Sequence, residues 1–477
     1  MQLHYIANAG IASTSGRTIP VVDPSDGQPF DEIQRGTAED IDAAVRAARQ
    51  CFDSVYSRMA PVERGRLLAR LSALVAEHAD ELAALEQRDC GKPTRQARAD
   101  ALALARYFEF YAGACDKLHG ETIPYADGYS VLTWREPHGV TGHIVPWNYP
   151  MQIFGRCVGA ALAAGNVCVV KPAEDACLSL LRVAELAAEA GFPAGALNIV
   201  TGYGHEVGDA LARHPGIQHI SFTGSPNVGT LIQQTAAERH CPVTLELGGK
   251  SPQIVFADAD LDAAVPTLVN AIIQNAGQTC SAGSRVLIDS VIYEPLLERL
   301  GRAFEALRVG PAAMDLDLGP LIRQSQQQRV WDFLSDAQVA GIPLVAQGTV
   351  VEEAPDTGFY QAPALLRDVP PDHRLAQEEV FGPVLAAMSF EDEDHAVQLA
   401  NGTPYGLVAG VWTRDGARQL RMARRVAAGQ VFINNYGAAG GVELPFGGVK
   451  SSGHGREKGF EALYGFTTLK TVAIRHG

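Results

Sequence analysis

From Thr37 onward apolar side chains recur at helical spacing, with Ile41, Val45, Ala48, Phe52 and Val55 behind a capping-box opening. The pattern predicts an amphipathic helix. A second helical region runs from residue 60 to the breaker "CGKP", and a third starts near Arg95. After residue 139 the texture changes, and the short apolar runs "VTGHIVP", "NVCVVKP", "ALNIVTG", "HISFTGS" and "VTLELGG" alternate with helical stretches. A strand-to-strand spacing of about 20 to 30 residues predicts successive βαβ units and a parallel sheet. Ligands of such sheets bind past the carboxyl ends of the strands. The polar departures "PWN", "KPAE", "TGS" and "ELGGK" follow those runs. A second alternating segment, starting near Leu261 and including "SRVLIDSVIYEPLLERL", "GPVLAAMSF" and "GQVFINNYG", predicts another α/β domain, with a cleft between the two.

Length and charge narrow the picture. A chain of 477 residues exceeds one hydrophobic core and suggests about two to four domains. Its formal net charge of -15 argues against nucleic acid or an anionic membrane as partner. The N-terminus lacks a basic stretch followed by an apolar run, and no segment offers about eighteen consecutive apolar residues, so a cytoplasmic protein is expected. The eight cysteines form no CxxC pair and no zinc-like spacing, so no metal is expected.

One cysteine stands apart. Cys280 lies in "NAGQTCSAGS", among small residues that leave its sulfur uncovered. Read locally, a reactive thiol and an inert small core residue are equally open. The turns "TGYGHEVG", containing Gly204, and "FTGSPNVG" lack dinucleotide-fingerprint spacing, and such turns are more often structural. In combination and in order, "IVPWNYP", "KPAE", "FTGS", "LELGGKSP", "NAGQTCSAGS", "EEVFGPV" and "PFGGVKSSGHGRE" resemble the NAD(P)-dependent aldehyde dehydrogenase superfamily, from about residue 17 to the C-terminus.

The resemblance implies two parallel-sheet, Rossmann-like domains and a small β oligomerisation arm. It places the NAD-binding domain at 1–116 and 138–247, the catalytic domain at 248–449, and the arm and tail at 117–137 and 450–477. It makes Cys280 the nucleophile, Asn148 the side-chain donor to the oxyanion, and Glu246 the base that activates water against the thioester. A thiol with an ordinary pKa of about 8.5 needs help to ionise at neutral pH. Relatives that pass the acyl group to coenzyme A typically lack the carboxylate at Glu246, so hydrolysis is expected. The alternatives are a coenzyme A-acylating enzyme and a non-catalytic NAD-binding scaffold.

For the cofactor the resemblance implicates Val145, Pro146, Trp147, Lys171, Glu174, Gly204, Phe222, Thr223, Gly224, Ser225 and Leu247, with Glu379 on the nicotinamide ribose and Phe381 against the ring. NAD is expected, with NADP as the alternative. Tyr149, Ile153, Arg156, Thr279, Ser281 and Phe446 are expected around the substrate, and a homodimer or homotetramer is implied. Two positions depart from the pattern. Cys157 stands where many relatives carry lysine, and Arg156 where a bulky aromatic is common. Tyr149, Ile153 and Arg156 share one face of a helix with Pro150 in its first turn. Arg156 therefore either faces the tunnel and suits an anionic tail, or turns aside to pair with an acid. Succinate-semialdehyde dehydrogenases carry a second arginine six residues before the nucleophile, where this chain has Gln274.

Overall fold

The computed structural model describes residues 1–477, with the side chains of residues 438 and 439 not among the described groups. The predicted first helix spans Ala38–Ser54, and its Thr37–Asp40 capping box is present. The second helical region is two helices, Pro61–Glu77 and Ala79–Cys90, because His78 leaves helical geometry at φ -94°, ψ 17°. The second of these stops at Gly91, whose left-handed φ of 77° suits a residue without Cβ. The third helix is Thr94–Ala114.

The five apolar runs after residue 139 form the parallel centre of an eight-stranded sheet. Its order places Leu197–Ile199, Val167–Pro172, Val140–Val145, His219–Thr223 and Val243–Glu246 side by side. Numbered along the chain this is 3-2-1-4-5, the doubly wound order, with its switch point between Val140–Val145 and His219–Thr223. Crossover helices Pro150–Ala164, Leu178–Glu189 and Pro226–Ala237 cover it, the first buried along nearly all its length.

A seven-stranded sheet forms the second body, parallel except at its edge strand Leu344–Gln347. It begins at Pro252–Val255, ahead of the Leu261 suggested by the sequence pattern, and also contains Ala364–Leu366 and Val408–Trp412, which the pattern did not single out. Each sheet has its own large apolar cluster, including Val140, Val169 and Ile220 in one and Ile254, Leu287 and Val411 in the other. Thr467–Arg475 pairs along nine residues with Tyr129–Pro137, and Thr122–Ile123 completes that three-stranded antiparallel sheet. Gly453–His454, nearby in sequence, instead extends the eight-stranded sheet beside Val243–Glu246. Among the described residues no helix is long and apolar enough to cross a membrane.

Candidate active site

Cys280 lies in the loop between helix Leu261–Ile273 and strand Arg285–Asp289. Three successive residues in that loop, Asn275, Ala276 and Gly277, have φ of 47°, 53° and 75°. Only glycine fits the last, because a Cβ there would lie 2.3 Å from the Gly382 backbone. Left-handed conformations at Asn275 and Ala276 store strain, which surrounding hydrogen bonds hold in place. Asn275 Nδ2 donates to the Asn148 carbonyl at 2.8 Å, and Asn148 Nδ2 donates to the Gln278 carbonyl at 3.0 Å. The loop following the first central strand is thereby laced to the loop carrying the cysteine. One amide hydrogen of Asn148 remains for another acceptor. Among the described residues the Cys280 N–H has no hydrogen-bond partner.

A cavity of about 690 Å³ opens onto Cys280. Every expected substrate residue lines it: Tyr149, Ile153, Arg156, Thr279, Ser281 and Phe446, together with Asn148. Cys280 is half-buried, whereas the other seven cysteines are buried. Burial pushes the Cys280 thiol up to about 12, with the Arg156 guanidinium acting in the opposite direction. Glu246 ends strand Val243–Glu246 and stands outside that lining, fully buried, with no partner among the described residues for either carboxyl oxygen. Burial first, and then Glu457, hold its pKa well above the usual carboxylate range, while Arg156 and Arg456 oppose them.

The two expectations for Arg156 coincide. Its side chain lines the cavity and stacks over Phe446 at 4.7 Å, while its Nε lies 2.5 Å from Oε2 of the buried Glu457. Among the described residues its Nε and Nη2, and Glu457 Oε2, make no hydrogen bond, so the contact is an ion pair alone. Glu457 and the neighbouring Lys458, another cavity residue, were missed as site residues, although the quoted motif ends at Glu457. Tyr149 caps a second unforeseen cluster, in which buried Lys92 lies 4.0 Å beneath its ring, 2.5 Å from Glu86 and paired with Asp100. The signal available for it was the "CGKP" breaker, read only as punctuation.

Residues expected around a dinucleotide gather at the switch point. Val145, Pro146 and Trp147 leave the first central strand, and Phe222 and Thr223 close the fourth. Ser225 caps helix Pro226–Ala237, accepting from Val228 N. A Cβ at Gly224 would lie 2.6 Å from the Phe222 ring, and one at Gly229 would lie 2.6 Å from Leu247, so the turn is close-packed. Lys171 reaches Glu174 at 2.7 Å beyond the second strand. Gly204 opens the short helical turn Gly204–Gly208. Val228 and Leu231 on the capped helix are exposed, an apolar face suited to a planar ring. Across the cleft, Glu379 accepts from Gly249 N at 2.9 Å, and burial pushes its carboxyl up to about 7. Trp147 and Phe381 meet edge to face at 5.4 Å. A helix N-terminus for pyrophosphate, a polar pair for a ribose and an apolar face for a base make a set that fits a dinucleotide.

Comparison with known proteins agrees with this geometry. The Aldehyde dehydrogenase family model matches residues 11–472. The chain belongs to the aldehyde dehydrogenase family. Hydroxyisobutyraldehyde dehydrogenase of Mycolicibacterium austroafricanum is 42% identical, covering 99% of this chain and 93% of that protein. Human retinal dehydrogenase 2 is 41% identical over 99% of this chain and 91% of its own. A crystal structure of a Burkholderia cenocepacia protein assigned to the aldehyde dehydrogenases is 76% identical, with TM-score 0.99 and full coverage of both chains. The NAD+ complex of a Bacillus cereus aldehyde dehydrogenase is 38% identical, with TM-score 0.96 and coverage of 99% and 96%. As a member of this family the chain is an NAD(P)-dependent enzyme that oxidises aldehydes to carboxylic acids.

Proposed function

We propose that this aldehyde dehydrogenase is hydrolytic, works with Cys280, Asn148 and Glu246, and acts on aldehydes with a polar or anionic tail. One observation carries the reading: a half-buried thiol and the free amide hydrogen of Asn148 share a cavity, and the unpartnered buried carboxyl of Glu246 is near enough for its charge to act on the thiol. Cys280 Sγ, as thiolate, adds to the carbonyl carbon. The resulting oxyanion takes the Cys280 N–H and the second Asn148 amide hydrogen. NAD, when bound, would supply the oxidant for the hydride that leaves the former aldehyde carbon, so that the oxyanion on Cys280 collapses to a thioester. Glu246 then takes a proton from water, which attacks the thioester carbonyl and releases the Cys280 thiolate. Burial that raises the pKa makes the ionised carboxylate a stronger base, which suits general-base work.

In this reading the eight-stranded sheet holds the cofactor, through Lys171, Glu174, Ser225 and the Val145–Trp147 loop, and Glu379 and Phe381 reach it from the other side. Glu174 beside the adenosine ribose repels a 2′-phosphate, which favours NAD over NADP. The unpartnered Arg156 Nη2 and Lys458 are the cations offered to a substrate tail. The sequence lacks a second arginine at Gln274, and Lys458 supplies a cation on another wall of the same cavity. The enzyme is read as a cytoplasmic homo-oligomer.

The test is NADH formation at 340 nm with a semialdehyde and a neutral aldehyde of similar length, with and without coenzyme A. Higher kcat/KM for the semialdehyde, no need for coenzyme A and no turnover by Cys280→Ala are expected. Dependence on coenzyme A would overturn the hydrolytic reading, and equal kcat/KM for the two aldehydes would overturn the substrate reading.

A further inference from the structure

We propose that the Arg156–Glu457 ion pair is an oriented dipole that biases the two reacting groups in opposite senses, its cationic end toward Cys280 and its anionic end toward Glu246. The proposal rests on Cys280 and Glu246 as nucleophile and base. Arg156 faces the cavity from the side offered to a substrate tail and Glu457 lies outside the cavity lining, so toward Cys280 and Glu246 both are positioning residues acting through charge.

The geometry fixes the orientation. Arg156, on helix Pro150–Ala164, lines the cavity that holds Cys280, and the Phe446 ring supports its guanidinium. Glu457 is held by hydrogen bonds, Oε1 accepting from Ser221 Oγ at 3.0 Å and its backbone exchanging bonds of 2.7 and 2.8 Å with Phe446, while Oε2 forms an ion pair with Arg156 Nε at 2.5 Å without hydrogen-bond geometry. Ser221 lies on the strand next to the one that Glu246 ends. Gly447 follows Phe446, and its missing Cβ would lie 2.7 Å from Glu246 Oε1. Thus Glu457 and Glu246 flank one turn, while the guanidinium extends toward the cavity. Buried ion pairs are poor stabilisers, because desolvation offsets their attraction. An unpartnered Nη2 adds to that cost, so the pair needs another reason to be here.

The surrounding charges agree. Cys280 is faced by Arg156, Glu379 and Glu246, and by the phenols of Tyr149 and Tyr436. Of these Arg156 alone is a cation, and it opposes the upward push of burial. Glu246 is faced by Glu457, Arg156 and Arg456, and Glu457 acts on it more strongly than either cation. Around the pair stand Tyr107, Tyr111, Cys157 and Lys458. Arginine stays protonated in proteins, so the Arg156 end of the pair is a fixed positive charge.

The experiment reads the thiol without turnover. Iodoacetamide alkylation of Cys280 in the cofactor-free enzyme is followed against pH by mass spectrometry, and the pH profile of thioester hydrolysis is followed by single turnover. Glu457→Gln keeps the shape and the Ser221 hydrogen bond. It is expected to raise the alkylation rate at neutral pH by about threefold to tenfold, and to move the hydrolysis limb to lower pH. The double variant Arg156→Gln with Glu457→Gln leaves no uncompensated buried charge, and its alkylation should fall about tenfold below that of Glu457→Gln. Profiles of Glu457→Gln superimposed on wild type would overturn the proposal. Loss of hydrolysis with an unchanged alkylation profile would also overturn it and make Glu457 a proton carrier. A Cys280→Ala control that still turns over would instead overturn the assignment of the nucleophile.

Discussion

At the scale of single residues the site is a set of polar groups left deliberately short of partners. Glu246 has two free oxygens in a buried position, where an unpaired carboxyl costs free energy unless it is protonated or put to use. Glu246→Gln keeps the volume and removes the base. The expected outcome is acylation of Cys280 followed by hydrolysis slowed about 10²- to 10⁴-fold. Intact-mass spectrometry after mixing with aldehyde and NAD should show an acyl adduct, and rapid turnover without one would remove the role. The roles expected of Cys280, Asn148 and Glu246 came from the resemblance carried by "NAGQTCSAGS", "IVPWNYP" and "LELGGKSP" together, because read locally each signal was weak. Glu457 and Lys458 were not foreseen. What gives them meaning is the reach of Arg156 across from a distant helix, and no local pattern encodes that meeting.

At the scale of elements, the turn after Val243–Glu246 carries much of the precision. Gly249 donates its N–H to Glu379, and a Cβ on it would lie 2.3 Å from the Cys280 carbonyl oxygen. That neighbour is backbone in a loop already held in left-handed conformations, so it cannot yield cheaply. Gly249→Ala should displace the nucleophile from its donors and lower kcat by roughly 10²-fold, since misplacement near 1 Å has this effect. Steady-state kinetics alongside a melting curve check it, and unchanged kcat in a folded variant would show that the loop can shift without loss. Element prediction succeeded where apolar runs were long or bounded by glycine and proline. It failed at His78, where one residue leaves helical geometry inside a continuous helical pattern, and at Pro252–Val255 and Val408–Trp412, which are too short to separate strand from buried helix by periodicity.

At the scale of the whole molecule, the three-stranded sheet is the feature a lone chain leaves unfinished. Thr467–Arg475 is an edge strand whose outer side is unpaired among the described residues. Tyr125, Trp134, Leu469 and Ile474 are 75%, 50%, 56% and 47% exposed on or beside that sheet. A long free edge next to exposed aromatic and aliphatic side chains favours strand addition or burial against another copy. Trp134 stands opposite Lys470 in the register, whereas Leu469 stands opposite Arg135, so the two apolar side chains lie on different faces of the sheet. Covering one face would leave the other wet, and an assembly using both requires more than one contact per chain. Sedimentation of the wild type should give a multiple of 50.8 kDa. Trp134→Glu with Leu469→Glu should shift the particle to a smaller species, with Cys280 alkylation unchanged, because neither side chain lines the Cys280 cavity. A wild type sedimenting at 50.8 kDa, or a double variant with unchanged mass, would remove this sheet as the site of assembly.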